Sequence, residues 1–573
     1  MKDFSDLIKN LKKDFSTFKT IKIAVLGDSA TQLLVKGLKG WGYENNINFQ
    51  IYEADYDQID MHVFDNSSNL HQDKFDYIIV FHSAYKLLKK FEKSNYVQKR
   101  EFALKHIDYI KSLIDSIFVT SKAKIIYFNY TEINDSVYGN FANKTNLSFL
   151  YQIRKINVEL MHLSQENGNL FICDLAAISA FYGQEYITEA KHYIDSDLVI
   201  SINALPIVVK NITDIILSIY GQFKKCLILD LDNTVWGGII GDDGVENIQI
   251  GDLGVGKAFS ELQLWAKQLK ERGVILAVCS KNTEHLAKEP FEKHPEMILR
   301  LDDIAIFVAN WENKVNNIKY IQNILNIGFD SMVFLDDSPF ERNMVREALP
   351  LVTVPELPED PAEYMFYIRT LNLFETASIS SEDSDRTRQY QEEAKRTILQ
   401  NSFTNEGDYL QSLEMEANVA SFDSFTIPRV AQLSQRSNQF NLRTIRYTED
   451  EIKAISNSND YITFSFTLAD KFGEYGLISA IILKKLNQYE LFIDTWIMSC
   501  RVLKRGMENF TLNALLEFAK KNGFIKIIGE YIPTPKNGIV KDHFELLGFT
   551  QNKDQWEIET TNNLTKQFYI KQK

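Results

Sequence analysis

Cysteine is almost missing from this chain. The 573 residues hold four, Cys173, Cys226, Cys279 and Cys500, and no two stand at a CxxC or zinc-ligand spacing. That excludes a disulfide framework and a cysteine-built metal site, and it reads as reduced thiols in a cytoplasmic protein. Long apolar runs are also missing. None approaches the roughly 20 residues that span a bilayer, so no membrane partner is expected. The opening MKDFSDLIKNLKKDF is charged and amphipathic, without the apolar core of a signal peptide. A basic excess is lacking too: the net charge is -14, which argues against a general nucleic-acid binder. There is no internal repeat and no low-complexity tract. Proline is scarce at 11, yet Pro350, Pro355, Pro358 and Pro361 crowd together, so that stretch marks a break between domains.

What remains is a globular composition, 45% hydrophobic, on a chain too long for one core; about three or four domains is the prior. From Ile21 to Gly221 the runs IKIAVLG, YIIVFHS, AKIIYFNY and LFICDL alternate with helical patterns, which predicts a parallel sheet. From Lys224 the pattern restarts with CLILDLD, VILAVCS, AIFVA and MVFLDDS. A polar stretch from Ile379 to Glu406 reads as a connecting helix. From Leu413 onward come YITFSFTLAD, YGLISAIILKK and YELFIDTWIM, a helix from Met507 to Lys521, and IKIIGEY.

The most informative segment is CLILDLDNTVWGGIIG, Cys226 to Gly241. Leu227-Ile228-Leu229 suits a buried parallel strand. Asp230 and Asp232 follow it, and two carboxylates on alternate residues cannot both be buried without partners. They are expected to face a cation and a phosphate at the carboxyl edge of a sheet, where open α/β folds bind ligands. Three further strand ends carry polar groups: Ser280, Lys281 and Asn282 after VILAVC, Lys314 in NWENK after AIFVA, and Asp336-Asp337-Ser338 after MVFL. Together they suit phosphoryl transfer. A carboxylate can attack phosphorus, a second can move protons, and a hydroxyl with an ammonium can hold phosphoryl oxygens. Further acids can hold Mg²⁺. Any one of these residues alone is as readily a helix cap or a turn.

The four elements in this order resemble the haloacid dehalogenase (HAD) superfamily of aspartyl-phosphate phosphatases. That resemblance implies Asp230 as nucleophile and metal ligand. It implies Asp232 as general acid/base, binding the metal through its backbone carbonyl. Thr234, Ser280, Lys281, Asn282 and Lys314 become phosphate contacts, and Asp336 with Asp337 completes a Mg²⁺ site. The Trp236-Gly-Gly…Gly241…Gly244 loop narrows the match to the FkbH-like subfamily, linked to glyceryl loading of acyl carrier proteins. Five glycines from Gly237 to Gly251 let backbone approach a small phosphorylated substrate, and Trp236 is as readily a wall of the site as an ordinary packing residue. No large cap domain interrupts this part, which leaves it open to a carrier's arm.

The last third resembles the GNAT-like half of the same family through Ala469-Asp-Lys-Phe-Gly473-Glu-Tyr-Gly476 and through Cys500-Arg501 to Gly506-Met-Glu508. A helix start after Arg501 suits a pantetheine phosphate. The usual R/Q-x-x-G-x-G/A signature is incomplete, with Leu503 and Glu508 at its ends, which favours a carrier-bound arm over acetyl-CoA. Cys500 beside Arg501, Lys504 and Arg505 is either a small core residue or an activated thiol; as a thiol it would hold an acyl intermediate with His543 as base. Near the start, Gly27-Asp28-Ser29 resembles the first block of SGNH hydrolases. The late D-x-x-H is absent, so docking or dimerisation is expected there rather than catalysis at Ser29.

The expected protein is a multidomain α/β chain. An SGNH/flavodoxin-like α/β domain covers residues 1–221, and a HAD Rossmannoid parallel-sheet domain covers 222–360. A helical connector spans 361–412, and a GNAT-like α+β domain spans 413–573. The expected activity is Mg²⁺-dependent removal of phosphate from a phosphorylated three-carbon donor such as 1,3-bisphosphoglycerate. The acyl group would then load onto an acyl carrier protein's phosphopantetheine arm. The alternative is a free-standing phosphatase of a small phosphorylated metabolite, its outer domains serving assembly.

Overall fold

The computed structural model describes residues 2–379, 386–400, 402–561 and 568–573, the side chains of Thr397 and Ile398 excepted. The chain forms two compact units, Met1–Ile216 and Leu217–Lys573. Among the described residues, no helix is long and apolar enough to cross a membrane.

The first unit carries five strands, β1 (Lys19–Gly27), β2 (Ile47–Glu53), β3 (Tyr77–Phe81), β4 (Lys124–Phe128) and β5 (Leu170–Cys173). They pair in parallel in the order β2-β1-β3-β4-β5. β3 is buried along its whole length, as a strand covered on both faces must be. Strand order reverses at β1, so the carboxyl end of β1 beside β3 is the topological switch point of a flavodoxin-like sheet. Gly27-Asp28-Ser29 sits there.

The second unit holds two sheets. Four short strands, β6 (Cys226–Leu229), β7 (Ile275–Ser280), β8 (Ile306–Ala309) and β9 (Met332–Leu335), pair in parallel in the order β8-β7-β6-β9. Both faces of this sheet are packed with aliphatic and aromatic side chains. A chain direction common to all four strands gathers their carboxyl ends at one edge.

The other sheet is mixed and eight-stranded. It contains β10 (Met415–Ala420), β11 (Tyr461–Asp470), β12 (Gly473–Lys485), β13 (Glu490–Met498), β14 (Lys526–Glu530), β15 (Thr550–Asn552), β16 (Gln555–Glu559) and β17 (Ile570–Gln572). β13 runs parallel to β14 only from Glu490 to Phe492. Beyond that the strands part, and Phe440–Leu442 lies alongside Trp496–Met498 instead. Met498 donates its N–H to Phe440 at 3.1 Å, and Leu442 donates to Trp496 at 3.4 Å.

The connecting helix Arg386–Gln400 packs on both sheets' surroundings. Tyr390 joins the core beneath β6–β9. Arg396 forks onto Asp470 at 2.7 and 2.8 Å, a bidentate pair. The Ser380–Asp385 part of the expected connector lies outside the described residues.

Candidate active site

The carboxyl edge of the four-stranded sheet collects the polar groups expected there. Asp230 follows β6 and its N–H donates to Leu335 at 3.0 Å, which continues the β6–β9 ladder by one residue. Ser280 ends β7 in register with Ala309. Lys314 opens the helix Lys314–Leu325, whose Asn313 cap accepts from the Asn316 N–H at 2.8 Å. Asp336 follows β9 and is fully buried.

The ammonium of Lys314, 3% exposed as a residue, stands 3.0 Å from Asp230 Oδ1 and also pairs with Asp336 Oδ2. Carboxylate oxygens of Asp230, Asp336 and Asp337 all lie within 4.8 Å of one another. Three acids around one ammonium leave negative charge uncompensated. Burial raises the Asp230 carboxyl, partly offset by Lys314 and by a hydrogen bond from Ser280. Burial and the neighbouring Asp230 push Asp336 up to about 6, and burial and Asp336 raise Asp337. Burial alone would lower Lys314, but the two carboxylates outweigh it and raise it. Among the described residues, Asp230 Oδ1 accepts nothing further beyond its ion pair with Lys314. Three carboxylates gathered around one buried ammonium are the donor set of a hard divalent cation.

Asp232 stands apart from this trio. Trp236 Nε1 donates to its Oδ1 at 2.9 Å, the Ile240 N–H to the same oxygen at 3.0 Å, and Asn282 Nδ2 to its Oδ2 at 2.8 Å. Asn233, the residue after Asp232, adopts φ +53°, and its side chain accepts from the Gly238 N–H at 3.0 Å. The left-handed turn brings the glycine loop back over the sheet edge.

Several expected contacts take different parts. Trp236 is fully buried against Phe291, so it cannot wall a substrate; its indole orients Asp232. Asn282 likewise serves Asp232 and not a phosphate. Lys281 pairs with Glu341 at 2.6 Å. Thr234 is fully buried, and its hydroxyl accepts from the Asp337 N–H at 3.1 Å, which fixes the metal-site loop. Arg342 was not legible as a site residue. It is 3% exposed and donates to the carbonyls of Asp336 and Asp337 at 2.8 and 2.7 Å. The Ser338-Pro339 start of its helix was a readable cap signal that places it one turn inside.

In the mixed sheet, Arg501 is buried and donates to Gln389 Oε1 and, at 3.1 Å, to the Tyr475 carbonyl. Arg505 pairs with Glu393. Both guanidiniums are committed to the protein, so they clamp the connecting helix rather than bind a pantetheine phosphate. The gap beside β13, where an extended arm would add, is filled by Phe440–Leu442. His543 is not a base for Cys500. Its ring lies edge-on to Trp496 and Phe440, centroids 4.6 and 4.8 Å away, and burial pushes it down to about 3.

A folded-state value below the ordinary one means that the neutral His543 ring stabilises the fold above pH 6.5. That stability is lost as pH falls toward 3, at about 1.4 kcal/mol per pH unit. Thermal unfolding of His543→Phe should therefore depend less on pH between 6.5 and 5 than that of the parent chain, with turnover unchanged. A large loss of turnover would restore His543 as a base.

In the first unit, Ser29 is buried and its hydroxyl has no hydrogen-bond partner. Asp28 accepts from the Ser83 N–H at 2.9 Å, and burial pushes it up to about 6. Among the described residues no histidine bonds to Ser29, so the triad geometry of a serine hydrolase is not assembled there.

Comparison with known proteins bears on this arrangement. Residues 22–217 match the family described as FkbH, N-terminal domain. A solved structure, the N-terminal part of protein BF1531 from Bacteroides fragilis containing a phosphatase domain complexed with Mg, is 53% identical. It covers 66% of this chain and 100% of its own, with a TM-score of 0.64. Escherichia coli ribosomal-protein-S18-alanine N-acetyltransferase is 14% identical and covers 26% of this chain and 98% of its own, at a TM-score of 0.20. Vibrio cholerae spermidine N-acetyltransferase, in complex with CoA and spermine, is also 14% identical. It covers 26% of this chain and 96% of its own, at a TM-score of 0.21. No curated protein is significantly similar.

Proposed function

This chain belongs to the FkbH-like family of the haloacid dehalogenase superfamily, and from that premise we propose that it is a Mg²⁺-dependent phosphatase coupled to transfer of a small acyl group onto a carrier protein. The observation that carries the phosphatase half is the buried Asp230–Lys314–Asp336 cluster with its uncompensated carboxylates. Asp230, Asp336 and Asp337 would hold Mg²⁺, which supplies positive charge to the phosphoryl oxygens.

Asp230 attacks the phosphorus of the donor's phosphate ester, not of its acyl phosphate, and the bond from phosphorus to the leaving alcohol oxygen breaks. Asp232 delivers a proton to that oxygen. Asp232 then takes a proton from water, which attacks the phosphoryl-aspartate and releases phosphate. Lys314 and Ser280 hold phosphoryl oxygens throughout. Trp236, the Ile240 N–H and Asn282 keep Asp232 turned toward the leaving group.

The acyl half centres on Cys500. It is partly exposed, whereas Cys173, Cys226 and Cys279 are buried. In this reading its sulfur attacks the acyl carbon of an acyl phosphate such as 1,3-bisphosphoglycerate. A C–S bond forms, the C–O bond to phosphate breaks, and phosphate leaves. The carrier's pantetheine thiol then takes the acyl group from Cys500.

Intact-mass measurement tests both halves. Phosphate release at Asp230 should need Mg²⁺ and stop with EDTA, whereas the single phosphate displaced on acylation of Cys500 should not. A glyceryl-mass adduct should appear on the chain and on a holo-carrier, and Cys500→Ala should lose both adducts. Phosphate release with no adduct on any carrier would leave the free-standing phosphatase, and an adduct that persists in Cys500→Ala would end the relay.

A further inference from the structure

At the opposite edge of the four-stranded sheet, a cavity of about 210 Å³ opens between that sheet and the mixed one. Lys225, the residue before β6, and Asn326–Ser331, the segment before β9, line one side. The carboxyl end of β13 with Met498, Ser499 and Cys500 lines the other. Strand rise of roughly 3.3 Å per residue puts Lys225 about 16 Å from Asp230 along the chain. The cavity is thus not the phosphoryl site seen from behind; β6 lies between them.

Its charge is one-sided. Among the described lining residues Asp330 is the one carboxylate, and Lys225 and Arg501 keep their charge because their partners are neutral, the Arg436 carbonyl for the first and Gln389 with the Tyr475 carbonyl for the second. Lys225 is held by the Arg436 carbonyl at 2.8 Å, and Lys536 pairs with Asp330. Burial pushes the Lys225 ammonium down to about 8; the Cys500 sulfur offsets this, and Arg436 and Arg386 add to it. Asn326 fixes the loop of the thiol by donating to the Cys500 carbonyl at 3.0 Å. A concave site with several cations and one acid stands at a positive potential that an anion relieves. The volume suits a molecule of a few carbons with a phosphoryl group.

We propose that this cavity binds a small phosphate-bearing anion beside the Cys500 sulfur, as a second ligand site separate from Asp230. Anion binding there does not depend on acyl transfer taking place. If transfer does take place, the cavity delivers the phosphorylated acyl donor to the thiol, and phosphate removal at Asp230 is a separate binding event.

Labelling of Cys500 by neutral iodoacetamide, read by peptide mass on the full chain, tests this. Inorganic pyrophosphate or 3-phosphoglycerate at ten times its Kd should slow the labelling about tenfold, since only the unliganded fraction reacts. Asp230→Asn should keep the protection. Lys536→Gln should weaken it, and Lys225→Met should remove it, with far-ultraviolet dichroism and the unfolding midpoint checking that both variants fold. Protection by 3-phosphoglycerate but not by phosphopantetheine assigns a free metabolite, and the reverse assigns a carrier's arm; both support the site. Unchanged labelling at saturating anion, protection that survives in Lys225→Met, or protection lost in Asp230→Asn would each overturn it.

Discussion

Asp230→Asn should lower Mg²⁺-dependent phosphate release by at least about a thousandfold, because the amide cannot form the phosphoryl-enzyme. The same substitution should leave the unfolding midpoint at pH 7 no lower. Asp230 has a raised folded-state value, so its ionised form at neutral pH costs the fold free energy. Such a group stabilises only at pH below its unfolded value and loses that contribution as pH rises through the folded one. Removing the charge also relieves Asp336, which Asp230 pushes up. A stable, inactive variant that still shows Cys500 labelling separates the nucleophile from a structural role. A rate within tenfold of the parent would end its assignment as the nucleophile.

Lys314→Met should have the largest effect on stability. Lys314 is the ammonium between two buried carboxylates, and removing one partner of a buried pair costs about 3–5 kcal/mol. The loss should be greatest at pH 7. It should shrink as pH falls toward 5, because Asp336 already sits near 6 with Lys314 present and rises further without it. Protonated acids no longer need the ammonium. Mg²⁺ should restore part of the lost stability at pH 7 by supplying the missing positive charge, and phosphate release should fall with the loss of a phosphoryl contact. Thermal unfolding at pH 5 and 7, with and without Mg²⁺, reads all of this. A pH-independent loss that Mg²⁺ does not touch would mean that packing of the lysine stem is what matters.

The phosphoryl centre was legible because its residues are strand-end neighbours. Once the four apolar runs are read as parallel strands, Asp230, Ser280, Lys314 and Asp336 must fall on one edge. Direction and length of short strands settle that without any knowledge of packing. The DLDNTVWGG order, the Asn313 and Ser338 helix caps and the glycine loop are likewise local, and local chemistry can be read from residue type and spacing.

What side chains turn toward was not legible, because orientation depends on contacts between distant segments. Trp236 reads equally well as a site wall or as a core residue, and it is the packing against Phe291 that buries it. Arg501 beside Cys500 looks like a phosphate ligand until the connecting helix brings Gln389 onto it. His543 and Cys500 look like a pair in sequence, yet Trp496 and Phe440 enclose the imidazole. The sequence by itself determined the catalytic edge, since parallel strands leave it no other arrangement. Only the tertiary structure decided that a second, cationic cavity lies at the other edge of the same sheet, because its lining charges come from segments hundreds of residues apart and meet only when the two sheets pack.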